Sequence, residues 1–385
     1  MVKFISKIRR ELLIVLLSSF LAGMTISLYQ PIWPFLVEEA GVDAATYGII
    51  ASGANLMEFV FRWAFAAFAS PSLTFLIGSL GISISSGLLL ADVSPAVIFG
   101  SLALARMGRA LHIMGRNQVT SLLFKEKVGT AFSSVRVSWQ IGAILGPAAG
   151  ALLVAMATRD SVLALGLFLG LISTALISPM IREFGVKGKG KISFWKGSLT
   201  PEIKGIVALT IVNNFARNSF LPFHLVMAPV IFGAGVEHVA MAAVIETLTS
   251  TLAGIPVGWL SDRVKDKRSV LALSELFMVS GIAVYIVPNA GIPGFLISAF
   301  LLGLGMSSYA PIATATVSEM APENPQDAVA FLSTAISFSR LPAPLLTGAL
   351  IAAFSYSAAF GFSAACLAFV GIYMAISSIQ SMRMT

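Results

Sequence analysis

The sequence is poor in charge. Asp, Glu, Lys and Arg make up only 11% of its 385 residues, while 57% are hydrophobic. A soluble domain carries about 25% charged residues, and folding into one core could not hide so much apolar surface. The shortage of charge therefore excludes a soluble enzyme and indicates a protein that is solvated by a lipid bilayer.

Cysteine and the usual catalytic groupings are also missing. The single Cys366 cannot form a disulfide within the chain. The sequence contains no nucleotide-binding glycine loop, no cluster of metal ligands and no nucleophile–base set, and its three histidines lie on different segments. We therefore expect no metal, no cofactor, no enzymatic activity and no ATP-driven transport by this chain alone. The net charge of +7 does not predict nucleic-acid binding, because the basic residues gather between apolar runs.

Long apolar runs are what the sequence has in abundance. A membrane helix needs about 20 mainly apolar residues, and runs of that size recur along the chain. They predict an all-α integral membrane protein with twelve transmembrane helices, at 11–36, 45–69, 72–91, 95–121, 131–157, 161–181, 203–231, 238–260, 269–288, 292–317, 327–353 and 357–379.

The basic residues predict the orientation in the membrane. If the N-terminus is cytoplasmic, the inner segments contain the clusters of Lys and Arg. Arg159 is then the only Lys or Arg in the outer loops. Positively charged residues favour the cytoplasmic side of a membrane protein. We therefore expect a multi-pass protein of the cell membrane with both termini in the cytoplasm. We also expect it to be a monomer.

The longest polar stretch divides the chain into two halves of six spans each. It predicts a cytoplasmic linker at 183–201 between a first bundle at 1–182 and a second bundle at 202–385. The halves are weakly alike, since AFSS from Ala131 and AFLS from Ala330 both begin the fifth span of their half. Two fused, pseudo-symmetric six-helix bundles are typical of transporters, because such halves can rock about a central site.

Two motifs resemble those of the major facilitator superfamily. The loop after the eighth span reads GWLSDRVKDKR from Gly258 to Arg268, which is similar to the Gly-x-x-x-Asp-Arg cytoplasmic loop of that family. The fifth span reads GAILGPAAG from Gly142 to Gly150, similar to the Gly-x-x-x-Gly-Pro-x-x-Gly motif associated with antiporters. Span number, orientation and central linker agree over the whole chain, and the resemblance implies a secondary transporter. The loop after the second span, near 66–72, departs from the family pattern because it lacks the Asp and the basic cluster.

The loop after the eighth span is predicted to act as a gate. Gly258 allows a helix end to approach a neighbour closely, and Asp262 can accept from a helix N-terminus or pair with an Arg. Acidic residues of a later inner loop can pair with the basic cluster when the cytoplasmic side is shut. The predicted gating residues are Gly258, Asp262, Arg263, Arg268 and Glu319, with Lys267, Glu323 and Asp327 as further members. The alternative is a solvated loop that only sets the topology.

The fifth span is predicted to pack closely against a neighbouring helix. Gly142, Gly146 and Gly150 lie on one face of it, since residues four apart share a face of a helix. Small residues let membrane helices approach each other, and Pro147 can bend the helix.

Cationic side chains interrupt several spans. The fourth span carries four of them within about a third of its circumference, at about 100° per residue: Arg106, Arg109, His112 and Arg116. Charged groups inside a span usually face protein or a water-filled cavity. The predicted solute-binding residues are Arg106, Arg109, His112, Asn214, Arg217 and Arg340. The alternatives are snorkelling to the interface for Arg109 and Arg116 and a structural role for His112.

Two carboxylates, Glu58 and Glu246, also lie deep in predicted spans. A buried carboxylate can carry a proton because desolvation favours its neutral form, so both are predicted proton-coupling residues. For Glu58 the alternative is an ion pair with Arg62, four residues further along the helix. The deep cationic groups outnumber these two acids, which favours an anionic solute.

These observations predict a secondary transporter that works by alternating access. Its solute is expected to be a small organic anion or an amphipathic, drug-like compound, and the resemblance favours proton-coupled export. The expected partners are the lipid bilayer, the solute and protons. Uptake or facilitated diffusion by the same fold, a membrane-embedded enzyme and a non-transporting receptor or scaffold are the alternatives.

Overall fold

A computed structural model describes residues 2–123, 128–182, 201–264, 266–287, 289–307, 309–321 and 325–384. Within these ranges the backbone forms helices joined by short turns, and it forms no β-strand. The prediction of an all-α membrane protein is confirmed. Residues 183–200, which make up most of the predicted linker, lie outside the described ranges.

The described ranges contain sixteen α-helices and one 3-10 helix, Ser178–Arg182. The α-helices are α1 (Val2–Leu28), α2 (Trp33–Glu39), α3 (Ala44–Phe68), α4 (Pro71–Ala91), α5 (Pro95–Leu123), α6 (Val128–Met156), α7 (Arg159–Ile177), α8 (Pro201–His224), α9 (Ala228–Phe232), α10 (Val236–Arg263), α11 (Arg268–Val284), α12 (Gly291–Met306), α13 (Tyr309–Met320), α14 (Pro325–Ser339), α15 (Ala343–Ala353) and α16 (Tyr356–Met384).

Each predicted span coincides with one or two of these helices. Among the described residues, eight helical segments are long enough and apolar enough to cross a bilayer, and one of them, Phe331–Ala353, runs through α14 and α15. The shorter α11 and α12 have 17 and 16 residues. Four predicted spans consist of two helices each, namely α1 with α2, α8 with α9, α12 with α13 and α14 with α15.

Proline and glycine account for several of the breaks within spans. Pro222 lies inside α8 just before its end at His224, and Pro229 lies in the first turn of α9. Pro342 precedes α15. A proline lacks the N–H group that would continue the helix and clashes with the preceding turn. Gly233 ends α9 at a φ of 66°, in the left-handed conformation that glycine adopts without strain.

Polar side chains cap helices where the apolar runs begin. Ser70 caps α4 and Thr158 caps α7, each by accepting a hydrogen bond from a main-chain N–H group. Before α3, the carboxylate of Asp43 accepts from the N–H group of Thr46 at 2.7 Å. This hydrogen bond holds the pKa of Asp43 below its ordinary value. Such caps satisfy N–H groups that have no partner within the helix.

The chain forms two compact units. The first unit comprises Met1–Val42 and Gly53–Ile192, and the second comprises Asp43–Ser52 and Ser193–Thr385. The start of α3 is thus part of the second unit, whereas the sequence analysis placed it in the first bundle. In the first unit α4 packs against α5 and α1 against α6, and in the second unit α11 packs against α16 and α12.

The glycines of the fifth span pack against the main chain of α1. A Cβ atom at Gly142, Gly146 or Gly150 would lie 2.1, 2.8 or 2.0 Å from a carbonyl oxygen of α1. Real Cβ atoms essentially never come within 3.0 Å of such an atom. Glycine therefore sets the distance between α1 and α6, and Pro147 lies inside α6 on the same stretch.

We expect Gly150→Val to lower the thermal stability of the folded protein strongly. The new side chain must displace the carbonyl of Leu28, and overpacking of this kind costs about 1–3 kcal/mol or more. Size-exclusion chromatography of heated, detergent-solubilised protein measures the loss. Gly205→Val is the matched control, because a Cβ at Gly205 would meet no described atom within 4 Å. An equal loss in both variants would contradict close packing as the cause.

Candidate functional site

The predicted cations of the fourth span lie on α5 in different surroundings. Arg106 is half-buried, and its guanidinium donates to the side-chain oxygen of Asn55 on α3. Arg109 is exposed. Both lie within electrostatic range of the buried Tyr29. Arg116, one to two turns further along, is only 7% exposed. Of the three arginines, Arg106 is therefore half-buried, Arg109 is exposed and Arg116 is buried.

Arg116 is buried without a carboxylate beside it. Its guanidinium lies over the ring of Trp139, 5.9 Å from the centroid. It donates to the side chain of Asn117 at 3.3 Å, while Nη1 has no hydrogen-bond partner in the described part of the chain. Arg109 and Arg136 lie within electrostatic range of it. No ion pair with a described residue is formed by Arg109, Arg116 or Arg136. The first unit therefore carries excess positive charge here, which an anionic group would offset.

The ring of His112, on the same helix, is fully buried. The ring packs between Phe75 and Trp139, at centroid distances of 4.7 and 5.5 Å. Neither ring nitrogen has a hydrogen-bond partner among the described residues. In this structure the ring offers no exposed surface to a solute, and its role in solute binding stays a prediction.

Arg217 forms a buried ion pair in the second unit. Its Nη2 donates to Oε1 of Glu275 at 2.7 Å. The same nitrogen donates to Oγ of Ser274 at 3.2 Å and to the carbonyl of Gly305 at 3.1 Å. The guanidinium also lies over the ring of Tyr309, 5.2 Å from its centroid. The guanidinium group of Arg217 on α8 thus contacts residues of α11, α12 and α13.

Further polar atoms surround this ion pair. Atoms that are buried and lack a well-formed hydrogen bond to a described residue include Nε of Arg217, Oε2 of Glu275, both side-chain polar atoms of Asn213 and the hydroxyl of Tyr309. Asn214 instead donates to the carbonyl of Thr210 on its own helix, at 3.0 Å. The predicted contact of Asn214 with solute therefore stays a prediction, and Asn213 is the amide that faces the ion pair.

Glu275 was not predicted as a site residue, and its presence changes the charge count. Glu58 and Glu246 were taken as the deep carboxylates, although Glu275 also interrupts a predicted span, at 269–288. The rule that selected the other two would have found it. Because Glu275 neutralises Arg217, the prediction of an anionic solute now depends on the arginines of the first unit.

Glu58 and Glu246 have different partners. Glu58 lies 3.6 Å from Arg62 on the same helix, and both side chains are partly exposed. Glu246 lies 2.9 Å from Nε2 of His224 on α8, with its side chain 14% exposed. The ion pair considered as the alternative for Glu58 is thus present, while Glu246 is the more buried of the two. Their roles in proton coupling stay a prediction.

Arg340 lies in the turn between α14 and α15 and is half-buried. Pro342, two residues further along, is the residue that precedes α15. The predicted eleventh span is therefore interrupted at this arginine. Its role in solute binding stays a prediction.

The residues of the predicted gate are only partly brought together. Lys267 forms an ion pair with Glu319 at the end of α13. Arg263 instead stacks on Trp259 of its own helix, 3.7 Å from the ring centroid. The main-chain N–H group of Arg268 donates to Asp266 at 2.9 Å, at the start of α11. The predicted acidic partner Glu319 therefore contacts Lys267, one of the three basic residues that were expected to pair with it.

Other members of the gate give no such contact. A Cβ at Gly258 would meet no described atom within 4 Å, so the close helix approach expected there is absent from this structure. The side chains of Asp262, Glu323 and Asp327 lie outside the described part of the chain. The gating role of the loop stays a prediction.

The described part of the chain is helical, with many apolar segments and several buried charged side chains. The chain matches the model of the Major Facilitator Superfamily over residues 15–196 and 206–379. It therefore belongs to this family. Membership points to a transporter rather than an enzyme.

Known proteins with a similar sequence or fold are also transporters. An uncharacterized MFS-type transporter of Methanocaldococcus jannaschii is 24% identical, and the match covers 86% of each chain. The crystal structure of the nucleoside transporter NupG is similar with a TM-score of 0.77 at 11% identity, over 95% of this chain and 99% of that one. A peptide transporter POT in complex with sulfate has a TM-score of 0.75 at 13% identity, covering 96% and 94%. The human organic anion transporter MFSD10 has a TM-score of 0.64 at 13% identity, covering 95% and 99%. At these identities the solved structures show the fold alone.

Proposed function

We propose that this protein exports a small organic anion or an amphipathic, drug-like anion by alternating access, in exchange for protons. The observation that carries the proposal is the excess of guanidinium groups in the first unit. Arg109, Arg116 and Arg136 lie near one another without a carboxylate partner in the described chain. An uncompensated guanidinium inside a membrane is costly, and a carboxylate or phosphate on a solute would offset that cost through a bidentate contact.

Two further observations support this assignment. Two of the structurally similar transporters are described as an organic anion transporter and as a peptide transporter in complex with sulfate. Glu246 supplies a buried carboxylate that can take up and release a proton. The second unit therefore offers a proton site, while the first unit offers the cationic groups.

Flux into and out of proteoliposomes tests the proposal. We expect an imposed pH gradient to drive accumulation of small carboxylates or phosphate esters, and a matched cationic compound to accumulate far less. Solute movement opposite to the proton flow indicates export by exchange. Solute movement in the same direction as the proton flow indicates uptake. Equal flux with and without the gradient would indicate facilitated diffusion, and the absence of any flux would favour a receptor or scaffold.

The Lys267–Glu319 ion pair is expected to affect the rate of conformational switching more than the affinity for solute. We expect Glu319→Gln to change the turnover rate by up to about fivefold, because an exposed ion pair contributes about 1 kcal/mol or less. Equilibrium binding should be nearly unchanged. Comparing turnover with binding of radiolabelled solute separates the two effects. Glu39→Gln, which breaks the exposed pair with Arg159, is the control, and a larger effect on binding than on turnover would contradict the gating role.

A further inference from the structure

His224 and Glu246 form a buried pair at a break in the seventh span. His224 is the last residue of α8, and α9 begins only at Ala228. Its Nε2 lies 2.9 Å from Oε2 of Glu246 on α10, and the two side chains are 8% and 14% exposed. The pair thus connects the end of one broken helix to a continuous neighbour.

The hydrogen bonds of the imidazole ring determine how many protons the pair holds. Nδ1 lies 2.6 Å from the main-chain carbonyl of Leu221. A carbonyl oxygen can only accept, so Nδ1 must carry a proton. Nε2 then faces a carboxyl oxygen at hydrogen-bond distance, and this second contact also needs a proton, on either the nitrogen or the oxygen. The observed geometry therefore requires one proton shared between His224 and Glu246.

Removal of that proton would leave one of the two ring contacts without a hydrogen. A neutral imidazole carries a single N–H group, while each ring nitrogen faces an acceptor oxygen. The carboxylate is the stronger acceptor, so the lone pair of Nδ1 would then face the carbonyl of Leu221 at 2.6 Å. Two acceptors without a hydrogen between them repel each other, and the low dielectric of a buried site strengthens the repulsion. The ring would have to turn away from the last turn of α8.

Neighbouring groups hold the pair in position. His224 is the C-terminal residue of α8. The hydroxyl of Tyr285 donates to the carbonyl of His224 at 3.1 Å, which fixes the helix end. The ring of Phe220 lies 5.6 Å from the imidazole and excludes water on that side.

In the described part of the chain, Glu246 is the charged group that acts on His224. Glu246 also lies within electrostatic range of Tyr285. α9, α12 and α15 contain no titratable side chain, and the side chain of Asp327 on α14 lies outside the described part. The remaining titratable groups on the second-unit segments around the pair are Asp43 before α3 and Tyr47 in the part of α3 that belongs to this unit, Lys204 and Arg217 of α8, Glu237, His238 and Arg263 of α10, Arg268 and Glu275 of α11, Tyr285 after α11, Tyr309 and Glu319 of α13, and Tyr356, Cys366 and Tyr373 of α16.

We propose that His224 and Glu246 together bind one exchangeable proton, and that the ring of His224 makes its two contacts, to Leu221 and to Glu246, at the same time only while this proton is bound. Proton release would break the contact of the ring with the last turn of α8 and so couple the protonation of the pair to the conformation of the seventh span. The inference rests on the proposed function for its role in transport, and it makes His224 a second member of the proton site beside Glu246.

The protonation of His224 can be measured without transport. The chain has three histidines, so 15N NMR of histidine-labelled protein gives few signals, and His224→Gln identifies the signal of this ring. We expect the Nε2 signal of His224 to change with pH in the parent. Glu246→Gln should abolish the change, because an amide N–H group replaces the exchangeable proton. The exposed pair of Glu237 and His238 provides the control, since Glu237→Gln should leave the His224 signal unchanged. An unaltered pH response of His224 in Glu246→Gln overturns the shared proton.

Transport by the same variants tests the coupling. We expect Glu246→Gln and His224→Gln each to lose pH-driven accumulation, with the double variant no worse than either single variant, while exchange of solute for solute is retained. Tyr285→Phe keeps both titratable groups and should retain coupling. If pH-driven accumulation survives in either single variant, the pair does not couple transport to protons. If the parent shows no pH-driven flux although the NMR result is as expected, the proposed function fails and the shared proton stands.

Discussion

Arg217→Ala is expected to destabilise the folded protein by about 3–5 kcal/mol, the loss typical of a buried ion pair that keeps only one partner. Glu275 has no exposed surface and its carboxylate would remain without the guanidinium at 2.7 Å. The hydrogen bonds of Nη2 to Ser274 and Gly305 would be lost as well. The fraction of monodisperse protein after heating in detergent, compared between parent and variant, measures the effect.

Removal of both charges distinguishes an ion pair from general packing. We expect Arg217→Met with Glu275→Leu to be far less destabilising than Arg217→Ala alone, because no buried charge is left without a partner. Arg159→Ala is the matched control, since its ion pair with Glu39 is exposed and such pairs contribute little. Equal losses for the single and the double variant would show that side-chain volume, and not charge, determines the stability of this cluster.

The fold was largely predictable from the sequence because it depends on apolar length. A membrane helix must satisfy its own backbone hydrogen bonds, so long apolar runs leave few alternatives. The breaks were less predictable. In the tenth predicted span, 292–317, the helix ends after Met306 and resumes at Tyr309, two residues before Pro311. A proline is tolerated in the first turn of a helix but breaks a helix interior. A hydropathy pattern does not contain that information, so the break was not predicted.

The candidate site was predictable by residue type but not by partner. Buried charges were recognised because they are costly in a membrane, and this rule selected Arg217 and Glu246. Their partners, Glu275 and His224, lie 58 and 22 residues away along the chain. A periodic pattern relates neighbours on one helix and cannot pair residues on different helices. The prediction of an anionic solute depended on counting unpaired charges. It therefore did not account for a partner on another helix, such as Glu275.

Arg106→Ala is expected to weaken binding of an anionic solute by about ten- to hundredfold. A hydrogen bond to a charged group contributes about 1.5–3 kcal/mol, and each 1.4 kcal/mol changes affinity tenfold. Arg106 is half-buried, and both Arg106 and Arg109 lie within electrostatic range of Tyr29. Arg106→Lys keeps the charge but loses the planar fork that matches a carboxylate or phosphate, so its affinity should fall between those of the parent and the alanine variant.

The competing explanation for Arg106 is a purely structural contact with Asn55 on α3. Asn55→Ala separates the two, because it removes that contact and leaves the guanidinium in place. If Arg106 binds solute, Asn55→Ala should retain affinity while Arg106→Ala loses it. If the contact is structural, both variants should lose folded protein to a similar extent. Binding of a radiolabelled carboxylate to protein that elutes as a single species decides between them. Unchanged affinity in well-folded Arg106→Ala, or a preference of the parent for cationic compounds, would exclude an anionic solute at this arginine while leaving the assignment to the transporter family intact.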